Sequence, residues 1–143
     1  MHHAGITVSD LDAAADFFVH LTGGELLGPY EKSGPAIDAV TGYVGVVVRQ
    51  AFVRLPGDAT LIELLEYRGG SGVRIDPDNG SIGAMHVALV VDDLDATLDR
   101  LAARGVTRLS DPITATSGPL EHHRLLYVLG PDDVRVELIE APR

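Results

Sequence analysis

"HAGITVSDLDAAAD", residues 3–16, returns as "HVALVVDDLDATLD", residues 86–99. Both stretches begin with a histidine, and both carry Asp-Leu-Asp-Ala and a closing aspartate at the same spacing, 83 positions apart. Each opens on small, apolar and β-branched residues that alternate as a strand does. Each continues with apolar residues at helical spacing: Leu11, Ala14, Ala15, Phe18 and Leu21, then Leu94, Leu98 and Leu101. Ser9, with Asp12 three positions on, is the expected N-cap of the first helix, and Asp92 that of the second. Gly23–Gly24 and Gly105 should stop them.

A second pair of matches closes each half. "IELLE" at 62–66 and "VELIE" at 136–140 keep Glu-Leu-x-Glu in register, 74 positions apart. The difference in offset falls in loops, where changes of length cost little. An internal duplication explains both matches. In the first half, residues 28–42 read as a loop, 43–55 as strand with a break near Arg49, 56–58 as a turn and 60–67 as strand. In the second, 110–123 read as a loop, 124–129 as strand, 130–133 as a turn and 134–140 as the last strand. The expectation is one α+β domain spanning 1–143. It is built of two βαβββ modules, 1–67 and 85–143, joined by a linker over 68–84.

Strand alternation then sorts the polar residues. His3, Gly5 and Thr7 should face away from the first helix, as should His86, Ala88 and Val90 from the second. Glu63 lies between Ile62 and Leu64, and Glu137 between Val136 and Leu138. Those apolar neighbours must face the helices, so the glutamates share the face of the histidines. Buried carboxylates need a partner. Two imidazoles and two carboxylates suit one divalent ion, Zn, Ni, Co, Mn or Fe, and the charges balance. Arg49 and Arg124 are candidates for holding an anionic group of a substrate through paired donors. His123 and Tyr127 are further substrate-binding candidates on the strand bordering that face.

Composition narrows the class. The net charge is −10, and Lys32 is the one lysine beside ten scattered arginines. Phosphate neutralisation needs clustered cations, so nucleic acid is excluded as a partner. The chain has no cysteine, which excludes disulfides, thiolate metal sites and a cysteine nucleophile. No apolar run approaches the roughly 20 residues of a membrane helix. No basic segment precedes an apolar one as in a secretory leader. The expectation is a cytoplasmic protein with a small-molecule substrate and no membrane partner.

"HAGITVSDLDAAADFF", "IELLE", "HVALVVDDLDA" and "VELIE" together resemble the vicinal-oxygen-chelate superfamily of glyoxalases, bleomycin-resistance proteins and extradiol dioxygenases. The resemblance covers almost the whole chain and is greatest to glyoxalase I and methylmalonyl-CoA epimerase. It implies paired βαβββ modules forming a cupped mixed sheet around a metal ion, and a homodimer. Carried over by position, the metal ligands are His3, Glu63, His86 and Glu137. Family chemistry implies that the ion stabilises an enolate while Glu137 or Glu63 moves the proton on the adjacent carbon. The function expected is that of a metal-dependent lyase or isomerase acting beside a carbonyl or thioester. Fe(II)-dependent extradiol ring cleavage and metal-free binding of a small molecule such as a drug are the alternatives. The chain departs from glyoxalase I at Thr7, where that enzyme commonly has an arginine that helps bind glutathione. It departs from many epimerases at Glu63, where they have glutamine.

Overall fold

The computed structural model describes residues 1–57 and 60–142. Asp58, in the turn expected at 56–58, lies outside the described residues. The chain divides into two compact units, Met1–Ile75 and Asp76–Arg143. The first contains β1 (His3–Thr7), α1 (Leu11–Thr22), β2 (Glu25–Lys32), α2 (Pro35–Thr41), β3 (Val47–Arg54) and β4 (Leu61–Arg68). The second contains β5 (Val87–Val90), α3 (Leu94–Ala102), β6 (Ile113–Thr114), β7 (Arg124–Leu129), a 3₁₀ turn (Pro131–Asp133) and β8 (Arg135–Glu140). The sheets are laid out alike, in the orders β1-β4-β3-β2 and β5-β8-β7-β6. In each, the first strand runs parallel to the last and the remaining pairings are antiparallel. This is the expected α+β class. Among the described residues no helix is long and apolar enough to cross a membrane.

Each helix lies on one face of its own sheet. Leu11, Ala14, Ala15, Phe18 and Leu21 of α1 are buried. So are Ile6, Ala51, Val53, Ile62 and Leu64, which alternation puts on the same side of the first sheet. In the second unit Leu94, Thr97 and Leu101 of α3 are buried, as are Leu126, Val128, Val136 and Leu138. Thr97 takes a core position there, its hydroxyl donating to the Asp93 carbonyl at 2.7 Å. Leu98 is half-buried.

Three local expectations are corrected. The helix caps fall one residue later than expected. Asp10 accepts from the N–H groups of Asp12 and Ala13, and Asp93 from that of Ala96. Both have the extended backbone an N-cap needs, so the first aspartate of Asp-Leu-Asp makes the cap. Residues 28–42 hold β2 and α2 instead of a loop. Gly28 and Pro29 obscure β2, but it is an edge strand with a register shift between Leu27 and Tyr30, where proline is tolerated. α2 starts on Pro35 and buries no residue, so it leaves no apolar period to read. β3 runs unbroken through Arg49.

That arginine belongs to a motif present in both units. Arg49 donates to Glu66 at 2.8 Å and to Asp12 at 3.0 Å, and Glu66 accepts from the Leu11 N–H at 3.2 Å. Arg124 donates to Glu140 at 2.9 Å and to Asp95 at 2.9 Å, and Glu140 accepts from the Leu94 N–H at 3.4 Å. Each clamp ties the first turn of a helix to the sheet beneath it. Burial alone would push Glu66 up. The Leu11 N–H, Arg68 and Arg49 outweigh it and hold the carboxyl below the ordinary range. Arg49 and Arg124 are held above their ordinary values, chiefly by Asp12 and Asp95.

Candidate active site

The parallel pairing of β1 with β4 sets Gly5 opposite Glu63, and that of β5 with β8 sets Ala88 opposite Glu137. His3, two residues before Gly5, lies on the same face of β1, and His86 holds the corresponding place directly before β5. His3 Nε2 thus comes to 3.2 Å from Glu63 Oε2, and His86 Nε2 to 3.4 Å from Glu137 Oε2. The match extends to exposure. Both glutamate side chains are 11% exposed, against 39% and 41% for the imidazoles. Across the antiparallel pair, Glu63 faces Phe52 and Glu137 faces Tyr127. The Phe52 ring stands edge-on to His3, and the Tyr127 ring edge-on to His86. Burial, and then the charge of Glu137, push the Tyr127 phenol up.

Each unit therefore presents one imidazole nitrogen and one carboxylate oxygen side by side, the imidazole from β1 or from the residue before β5, the carboxylate from β4 or β8. Their separation is long for a charge-assisted hydrogen bond, which runs about 2.7–2.9 Å. It is close to that of two ligands of a tetrahedral ion, which at about 2.0–2.1 Å from the metal stand about 3.3–3.4 Å apart. Nitrogen and oxygen donors without thiolate suit Zn, Ni, Co, Mn or Fe(II). The donors of each unit fit such an ion, although among the described residues no group of three or more ligand-type side chains is assembled.

The surroundings of the two carboxylates differ. Gln50, on β3, shares the Glu63 face and donates from Nε2 to Glu63 Oε1. Gln50 is 8% exposed, and among the described residues its buried Oε1 has no hydrogen-bond partner. Leaving such an acceptor unmet costs about 1–3 kcal/mol. In the second unit Leu125 takes that place: Gln50 pairs with Leu65 in the ladder, and Leu125 with Ile139. A Cβ added to Gly5 would meet Glu63 Oε2 at 3.1 Å, whereas Ala88 carries a Cβ at the matching place.

Of the residues singled out from the sequence, His3 with Glu63 and His86 with Glu137 and Tyr127 are brought together. Arg49 and Arg124 lie on the opposite, helix-bearing faces, each held by two carboxylates. His123, just before β7, has Nδ1 at 3.2 Å from the Glu121 carbonyl. Sequence reading passed over Gln50. The signal was available: "RQAFV" at 49–53 and "RLLYV" at 124–128 share Arg and Val, and that alignment sets Gln50 against Leu125.

Comparison with known proteins bears on what these pairs do. A family model described as the Glyoxalase/Bleomycin resistance protein/Dioxygenase superfamily matches residues 2–127. The chain is 37% identical over 147 residues to a 2-epi-5-epi-valiolone epimerase of Actinomyces sp, covering 99% of this chain and 79% of the relative. It is 29% identical over 141 residues to a probable lactoylglutathione lyase of Synechocystis sp., covering 97% and 93%. Among solved structures, a glyoxalase family protein from Bacillus cereus superimposes with a TM-score of 0.85 at 24% identity, covering 100% of this chain and 94% of that one.

Proposed function

The chain belongs to the glyoxalase/bleomycin resistance protein/dioxygenase superfamily, and on that premise we propose that it is a metal-dependent enzyme of epimerase or glyoxalase type. It acts on a small molecule by moving a proton on a carbon beside a carbonyl or thioester. One observation carries the reading: the same His–Glu pair, on matching strands and matching faces, occurs in both units. A fold needs no such pair twice, since an exposed imidazole against a buried carboxylate adds little core. Two relatives, one an epimerase by name and one a probable lactoylglutathione lyase, agree with it.

The proposed ligands are His3, Glu63, His86 and Glu137. When bound, the divalent ion supplies Lewis acidity toward the carbonyl oxygen and so acidifies the adjacent carbon. The side chains do the rest. Glu137 takes the proton from that carbon, and its conjugate acid returns it. Low exposure of both carboxylates keeps bulk water from competing for that proton. Phe52 and Tyr127 hold the imidazoles edge-on and limit their rotation. Tyr127 and His123 are the proposed substrate contacts. Arg49 and Arg124, on the helix-bearing faces, keep β3 and β7 fixed to the helices of their own units.

The reading is tested by offering metal-replete protein 2-epi-5-epi-valiolone and lactoylglutathione in D₂O. Deuterium should enter one of them beside its carbonyl. A chelator should stop the exchange, and added Zn, Ni, Co or Mn should restore it. Absence of exchange on both compounds contradicts the reading.

A further inference from the structure

We propose that Gln50 is a positioning residue that fixes Glu63 as a metal ligand and makes the two carboxylates of the duplicated pair unequal. The inference rests on the metal-binding reading above and adds a division of labour within it. A carboxylate only accepts, so the amide must turn its NH₂ group toward Glu63. Glu63 is then held at both oxygens: Oε1 receives the Gln50 N–H, and Oε2 sits above Gly5, beside His3. A side chain at position 5 would crowd that oxygen, and none is there.

The duplication supplies an internal control. The second sheet carries Leu125 where the first carries Gln50, and Ala88 where the first carries Gly5. An apolar residue therefore satisfies the architecture at this position. The amide also brings an acceptor, Oε1, that finds no partner among the described residues. Core packing does not account for a buried amide that is half-satisfied where leucine fits. Its contact with Glu63 does. Residues that hydrogen-bond a metal ligand orient it, and losing them weakens metal affinity. Glu137 has a hydrocarbon neighbour in place of the amide. It is the carboxylate left free to swing toward a substrate, while Glu63 stays in place.

Gln50→Met keeps the length and volume of the side chain and removes the donor. Gln50→Leu copies the second unit and stands in if the methionine variant misfolds. The probe is Co²⁺, titrated into metal-free protein and followed by its visible absorption, with thermal stability measured in parallel. The expected result is Co²⁺ binding about 10- to 100-fold weaker than in the wild type and an altered absorption band, with melting temperature little changed. A purely structural role would lower the melting temperature and leave affinity and spectrum alone. If wild-type protein binds Co²⁺ and the variants bind it equally with the same spectrum, the positioning role is overturned and the metal reading stands. If the wild type binds no Co²⁺, the metal reading falls and this role with it.

Discussion

Glu137→Gln should lower the rate of substrate proton exchange about 100- to 10,000-fold, the usual contribution of a positioned general acid or base. Glutamine keeps the shape of glutamate and an oxygen that can still face an ion. It cannot take a proton from carbon. Its neighbours His86 and Tyr127 need not move, because the change replaces one oxygen by an NH₂ group. The informative comparison is Glu63→Gln, measured with metal content under the same conditions. Glu63 is tied to Gln50, so its replacement should show first as weaker metal binding. Loss at Glu137 should show in turnover even when metal is saturating. Equal and small effects at both positions would remove the carboxylates from the chemistry.

The second large effect concerns stability. Glu140→Ala should cost about 2–4 kcal/mol, because it strips a buried acceptor from two donors at once. Glu140 is 4% exposed, accepts from Arg124, and takes the Leu94 N–H at the start of α3. Alanine leaves that N–H unmet and Arg124 with Asp95 alone of its two carboxylates. The expected reading is a fall in melting temperature of roughly 4–16 °C, at about 2–4 °C per kcal/mol for a chain of this length. Glu66→Ala removes the counterpart in the first unit, where the carboxylate is more exposed and Arg49 keeps Asp12. It should cost less. An unchanged melting temperature for Glu140→Ala would show that the clamp is incidental to stability.

The sequence made the duplication legible because the repeated residues are ones that sheet and helix geometry constrain. His3, Glu63 and Glu137 lie on strands paired in parallel and His86 directly precedes one, so loop length does not disturb them. Period-two alternation was enough to put each histidine beside the glutamate of its own unit. What escaped was local or non-periodic. β2 is an edge strand interrupted by Gly28-Pro29, and α2 has no buried side. Neither leaves the hydrophobic pattern by which elements are recognised. Arg49 and Arg124 read from sequence as candidates for a substrate anion, since their carboxylate partners lie 29 or 37 positions away on a helix and 16 or 17 away on a strand. Gln50 shows only once "RQAFV" at 49–53 is set against "RLLYV" at 124–128. A glutamine in a strand points to no role by itself; its amide gains one from the carboxylate beside it on the same face.

Metal content of purified, metal-replete protein, measured by mass spectrometry beside His86→Ala and Glu137→Ala, tests the central claim most directly. The account predicts about one divalent ion per chain in the wild type and its loss in both variants, with each variant still folded. A wild-type protein that holds no divalent ion, or variants that hold as much as the wild type, would contradict it.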